Sequence, residues 1–260
     1  MAALRLCLRL PLVIFCLAMI PITIHPVCFF VRDADRQYAW KCAMLQRWTR
    51  ATLRVIGVRV EVKGERPPDP FILVSNHLGY MDIICYAATV PSYFISKKEV
   101  GEWAFVGWVV RSTTTLFVDR KNHRDLVKLE DIISGLIQDK RSLIFFPEGT
   151  STRGSEVLPF MSSLLEAPAR EAFPVSSGSI TYRTEPGAPP AHEAVCWWGD
   201  MELIGHLLNL MKLKTFYVTI TFGSERHSHS DRKELAIALR NAVLSHFVPV
   251  PSEEVCNIPS

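Results

Sequence analysis

The sequence predicts an α/β protein: a mixed, largely parallel sheet with crossover helices, preceded by an N-terminal hydrophobic and amphipathic helical membrane anchor. Three observations carry this expectation. From about residue 70 onward, short apolar β-rich runs alternate with helix-period segments. Several of those runs are almost continuously apolar, as strands covered on both faces are. Ahead of them, Leu10 to Val31 is a run of 22 residues without a formal charge. At 260 residues, 48% of them hydrophobic, the chain can bury one sizeable core.

The apolar run is long enough to cross a bilayer as a helix, but Pro11, Pro21 and Pro26 interrupt it. A break at Pro21–Pro26 leaves a first helix too short to span, so a span and a re-entrant or interfacial anchor both stay open. No small-x-small site closes the run, which argues against a cleaved signal peptide. The next stretch, RQYAWKCAMLQRWTRATLRV, is amphipathic. At 100° per residue, Arg36, Arg47, Arg50 and Arg54 fall within roughly a 60° arc, with Trp40, Met44, Trp48 and Val55 beside them. Tryptophan next to arginine suits a helix in the headgroup layer, and a core-packing helix with a solvated basic face is the alternative.

Charge supports this division. Residues 1–60 hold nine Lys/Arg against Asp33 and Asp35, whereas the whole chain has a net charge of only +3. A basic, apolar head on a mildly acidic body suits an anionic membrane surface and not nucleic acid. The expected organisation is membrane-anchoring helices over residues 1–60 and an α/β domain over residues 61–260. Seven scattered cysteines with no C-x-x-C pair suggest neither zinc nor a disulfide framework. A reducing, cytoplasmic-side body follows.

After the RPPDP break at residues 66–70, the expected strands are Phe71–Ser75, Tyr93–Ser96, Thr115–Asp119, Ser142–Phe146, Val175–Tyr182, Val195–Trp198 and Phe216–Phe222. Helices are expected at about 81–90, 99–111, 123–139, 160–171, 201–211 and 231–247. Asn122 is the expected cap of the third, and Ser230 or Asp231 that of the last.

Three of these strands end in polar clusters: Asn76-His77 with Asp82, Asp119-Arg120, and PEGTSTRG from Pro147 to Gly154. In a parallel sheet, all three lie along the edge where ligands gather. A lone histidine at a strand end is more often structural. A carboxylate that accepts from one ring nitrogen changes this: it sets the tautomer and leaves the other nitrogen as a base. Five helical residues turn about 500°, which would splay such a pair apart. His77 therefore belongs in the turn, eased by Gly79, and Asp82 in the first helical turn. Arg120 is a candidate for an anionic head group, with a surface ion pair as the ordinary alternative. The HSHSD segment, His227 to Asp231, has alternating histidines and no partner ligands, and reads as a solvated loop.

Asn76-His77-x4-Asp82, Phe117-Val118-Asp119-Arg120, Phe146-Pro147-Glu148-Gly149-Thr150 and Phe173-Pro174-Val175 occur in order over residues 45–185. In these four blocks the chain resembles the glycerolipid acyltransferase family that includes bacterial 1-acylglycerol-3-phosphate acyltransferases. It departs from the commoner pattern at Ser151, where many members have arginine after E-G-T, and at Met161, where a basic residue often follows P-F. Lys97 and Arg153 become candidates for part of that phosphate-binding role.

The resemblance implies transfer of a fatty acyl group from acyl-CoA or acyl-carrier protein to a lysolipid hydroxyl. The first acceptor it suggests is 1-acylglycerol-3-phosphate, giving phosphatidate; lyso-ornithine lipid or another lysophospholipid is the alternative. His77 is the implied general base and Asp82 its partner. Arg120, Glu148, Gly149 and Thr150 are the implied acceptor-binding residues, and no metal or cofactor is needed. The expected setting is the cytoplasmic side of a bacterial inner membrane. Thioester hydrolysis and a non-catalytic membrane lipid-binding protein are the rivals from other classes.

Overall fold

A computed structural model of the protein describes residues 1–119 and 122–250, the side chains of residues 123 and 126 excepted. Two long helices, α1 (Ala2–Phe30) and α2 (Ala34–Ile56), come first. They are followed by β1 (Val58–Lys63), β2 (Ile72–Ser75), α3 (Tyr80–Thr89), β3 (Tyr93–Lys97), α4 (Lys98–Glu102), α5 (Ala104–Arg111), β4 (Thr115–Val118), α6 (His123–Gln138) and β5 (Leu143–Phe145). A 3-10 turn at Ser162–Leu165 leads to α7 (Glu166–Arg170), β6 (Val175–Thr184), α8 (Ala191–Ala194), α9 (Leu203–Lys212), β7 (Phe216–His227) and α10 (Arg232–His246).

The seven strands form one sheet in the order β1-β7-β6-β2-β5-β3-β4. Every neighbouring pair is parallel except β6 and β7. This is the mixed, largely parallel sheet that the alternating pattern predicts. Strand residues alternate between two cores, as a period of two requires. Leu73, Phe94, Ile144, Ile180 and Val218 pack with residues from α1, α2, α3, α8 and α9. Ile72, Val74, Ile95, Leu143, Phe145 and Val175 pack with residues from α6, α7 and α10. The central strands are covered on both faces, which is why they read as unbroken apolar runs.

Caps begin the helices where expected. The Asn122 side chain accepts from the Arg124 N–H, and Asp231 accepts from those of Lys233 and Glu234. Since Asp231 caps α10, the end of HSHSD serves that helix start.

Several expectations are corrected. The first helix does not break: α1 is continuous through all three prolines. α2 lies alongside it, with the Trp40 indole N–H donating to the Thr23 carbonyl (3.0 Å) and that of Trp48 to Thr23 Oγ1 (3.2 Å). The two indoles therefore face protein, and packing against α2 outweighs the proline cost. The Val58–Lys63 strand was missed because it is an edge strand, exposed after its first residue, with charged residues between its valines. Val195–Trp198 is no strand. Val195 and Cys196 are buried and Trp197 and Trp198 half-buried beside the β2–α3 turn, where the Trp197 N–H donates to the Leu78 carbonyl. The segment 99–111 divides at Trp103, whose backbone is extended, and 160–171 becomes the 3-10 turn and the short α7.

Candidate active site

The site grows from the end of β2. Asn76 is fully buried and makes a two-way clasp with β6: its Nδ2 donates to the Ile180 carbonyl (2.9 Å) and its Oδ1 accepts from the Ile180 N–H (2.8 Å). The next residue, His77, is thereby carried out past the sheet edge. Gly79 makes the turn into α3 at φ +148°, where a Cβ would also meet the Trp197 backbone nitrogen at 2.9 Å. Only glycine fits both constraints.

Asp82 lies in the first turn of α3 and is completely buried. Its Oδ2 accepts from His77 Nδ1 (2.7 Å), from the Leu78 N–H (2.6 Å) and from the Gly79 N–H (3.1 Å). Its Oδ1 accepts from the hydroxyl of Tyr182 (2.5 Å). A carboxylate can only accept here, so His77 carries its proton on Nδ1 and presents Nε2 as the free base. The imidazole is one-fifth exposed and stacks on Phe146 at 4.3 Å. An open ring nitrogen, a set tautomer and a buried counter-charge are what a general base requires.

The loop after β5 closes round this histidine. Glu148 Oε1 accepts from the His77 N–H (2.7 Å), and Oε2 from the Leu158 N–H (2.8 Å). Burial pushes the Glu148 carboxyl up to about 7, despite those two amides, which favour its charged form. Gly149, at φ +74°, turns the chain, and the Thr152 N–H donates to the His77 carbonyl (2.9 Å). From the far side, Arg240 of α10 grips the Val157 and Leu158 carbonyls.

The carboxyl ends of β2, β5, β3 and β4 lie side by side on one edge, so the clusters after β2 and β5 share it with Asp119 at the end of β4. Lys97 ends β3, two strand spacings or about 10 Å from β2. It is exposed, as are Thr150 and Arg153. The structure thus joins His77, Asp82, Glu148 and Gly149 tightly and places Thr150, Arg153 and Lys97 on the open rim. Arg120 lies outside the described residues. Sequence reasoning missed Tyr182. No local signal marks it, because its place beyond the end of β2 follows only from the order of strands. Among the described residues, no three His, Cys, Asp or Glu side chains gather as a metal site would need.

The class that fold and site define is an α/β protein with a histidine–aspartate pair at the carboxyl edge of its parallel strands, bonded to a Phe-Pro-Glu-Gly-Thr turn. The chain belongs to the glycerolipid acyltransferase family: the profile of the family described as Acyltransferase matches residues 58–180. It is 31% identical over 213 residues to a lyso-ornithine lipid O-acyltransferase of Rhodobacter capsulatus, covering 79% of this chain and 76% of that one. It is 25% identical to a 1-acyl-sn-glycerol-3-phosphate acyltransferase of Neisseria meningitidis, covering 66% and 68%. The crystal structure of PlsC, the 1-acyl-sn-glycerophosphate acyltransferase of Thermotoga maritima, has the same fold, with a TM-score of 0.65 over the whole of both chains at 20% identity.

Proposed function

We propose that the protein is a lysolipid O-acyltransferase in which His77 is the general base. The observation that carries this reading is the His77 Nδ1–Asp82 Oδ2 bond, with Nε2 left open at the sheet edge. In the reaction, Nε2 takes the proton of the acceptor hydroxyl as its oxygen attacks the thioester carbonyl of acyl-CoA or acyl-carrier protein. The carbonyl π electrons move onto oxygen, then return to expel the thiolate. The imidazolium gives its proton to that sulfur, leaving an ester and a free thiol. Asp82 stabilises the imidazolium throughout. No serine or cysteine nucleophile is required, so transfer is direct within a ternary complex. Gly149, Thr150, Arg153, Lys97 and Arg120 are proposed to hold the acceptor's head group; Glu148 orients the His77 backbone.

For the acceptor, lyso-ornithine lipid stands first. The relative with that activity matches more of the chain at higher identity, and Ser151 and Met161 stand where phosphate-acceptor enzymes commonly have basic residues. Lysophosphatidate is the second reading, favoured by the intact F-V-D-R and F-P-E-G-T blocks.

The protein is proposed to sit in one leaflet of a membrane. α1 is long and apolar enough to cross one, yet it lies along the domain. Arg9 near its start donates to the Met211, Leu213 and Lys214 carbonyls, and His25 near its end bonds Ser112. A helix tied to the domain at both ends cannot carry those ends to opposite sides of a bilayer. Its outer face exposes Leu4, Leu8, Leu12, Phe15, Phe29 and Phe30, and α5 beside it exposes Phe105 and Trp108. Such a surface suits burial among lipid chains.

A mass-spectrometric screen decides the acceptor. The protein in detergent is given acyl-CoA or acyl-carrier protein with lyso-ornithine lipid, lysophosphatidate or other lysophospholipids. The diacyl ornithine lipid is the expected product. Phosphatidate alone would favour the second reading, and free fatty acid with no acylated acceptor would contradict both.

A further inference from the structure

We propose that Tyr182 is a positioning residue for acyl transfer, its hydroxyl fixing the plane of the Asp82 carboxylate that serves His77. The inference rests on the reading of His77 as the base. It also concerns a residue just beyond the stretch that the family profile matches.

Tyr182 reaches Asp82 because β6 outruns its neighbour. Gly178 pairs with Ser75, the last residue of β2, and β6 continues past that strand's end to Thr184, still paired with β7. Residues 178, 180 and 182 share one strand face. Ile180 is held there by Asn76, and two residues on, Tyr182 projects over the β2–α3 turn. Its side chain is 1% exposed, and the 2.5 Å contact with Asp82 Oδ1 is in the range of a charge-assisted O–H···O bond. Burial, Asp82 first among the nearby charges, holds the phenol well above its ordinary value, so it acts as a donor.

The bonds to Asp82 divide the work. The Leu78 and Gly79 amides hold Oδ2 but leave the carboxylate free to pivot about it. Tyr182 is the donor that removes this freedom, setting the carboxylate plane in which His77 Nδ1–H must lie. It also draws charge toward Oδ1 and away from the imidazole. The other titratable groups around the pair are Cys85 and Tyr86 on α3, Cys196 after α8 and Glu148 after β5. Burial raises the first three out of the assay range. Glu148 titrates near 7 and is common to every variant compared.

The test is the pH profile of acyl transfer by full-length Tyr182→Phe in detergent, beside wild type and His77→Ala. Tyr182→Phe is expected to lower kcat by about 10- to 100-fold with little change in acceptor KM. Its acid limb is expected to move to higher pH by roughly half a unit to one unit, because an uncompensated carboxylate holds the imidazolium proton more tightly. Placing 3,5-difluorotyrosine at 182 keeps the fold and makes a stronger donor, and the limb is expected to move the other way. Unchanged acid limbs in both variants would overturn the proposal, even if Tyr182→Phe were less stable. If His77→Ala retained wild-type activity, the reading of the base would fail instead, whatever Tyr182 does.

Discussion

Replacing Glu148 with glutamine separates two things the carboxylate does. Its oxygens accept from the backbone N–H groups of His77 and Leu158 at 2.7 and 2.8 Å, and the residue is 6% exposed. Glutamine has one carbonyl oxygen, so one of those buried amides loses its acceptor, at a cost of about 1–3 kcal/mol. The wild-type carboxyl is raised from 4.5 to about 7 by burial. Below pH 4.5 the folded and unfolded chains both hold the proton, and this group adds no pH dependence. Between 4.5 and 7 the unfolded chain releases its proton first, so the folded state binds more protons and stability falls as pH rises. By pH 8 both states are ionised, and the loss has reached roughly 3 kcal/mol. The assay is thermal unfolding of the detergent-solubilised protein from pH 5 to 8.5. Wild type should lose stability across the window, whereas Glu148→Gln should start lower and stay flatter, the two curves converging near pH 8. Transfer activity should fall at least tenfold in the variant, because the His77 backbone loses its hold. Parallel stability curves, or a variant as active as wild type, would refute the reasoning.

Asn76→Ala removes both bonds to Ile180 and leaves a buried N–H and C=O unpaired. A loss of about 2–4 kcal/mol is expected, seen as a Tm lower by roughly 5–15 °C; a change under 1 °C would contradict the clasp. Arg9→Met leaves the α9 end without its guanidinium. Faster hydrogen exchange around Met211 to Lys214 should follow, and unchanged protection would show that α1 is held elsewhere. Paired Phe105→Asp and Trp108→Asp substitutions should lower flotation with lipid vesicles while leaving activity on a short-chain, water-dispersed lysolipid within twofold. Unchanged flotation would remove α5 from the membrane contact.

Much of this was legible in the residues themselves. Continuous apolar runs marked the central strands, because both faces of those strands are covered. The His77–Asp82 spacing excluded a shared helix face and placed one residue in the turn and the other in the first helical turn, as found. Local signals failed where long-range packing decides. The three prolines of α1 signalled a break, but α2 lies alongside the helix and it continues. Trp197 and its neighbours looked like a strand because their burial comes from packing on the Leu78–Gly79 turn. Tyr182 was invisible as a site residue because its partner lies 100 residues away, joined to it only by the order of strands. Glu148 was legible as part of a motif, but not as the acceptor for the His77 backbone.

The central claim is that His77 is the base of a lysolipid acyl transfer. It is tested most directly by following labelled acyl groups from acyl-CoA and acyl-carrier protein to lyso-ornithine lipid and lysophosphatidate, with wild type and His77→Ala in matched detergent. Wild type should acylate at least one acceptor, and His77→Ala should be slower by about 10²-fold or more per folded molecule. Equal rates for the two proteins would contradict the account.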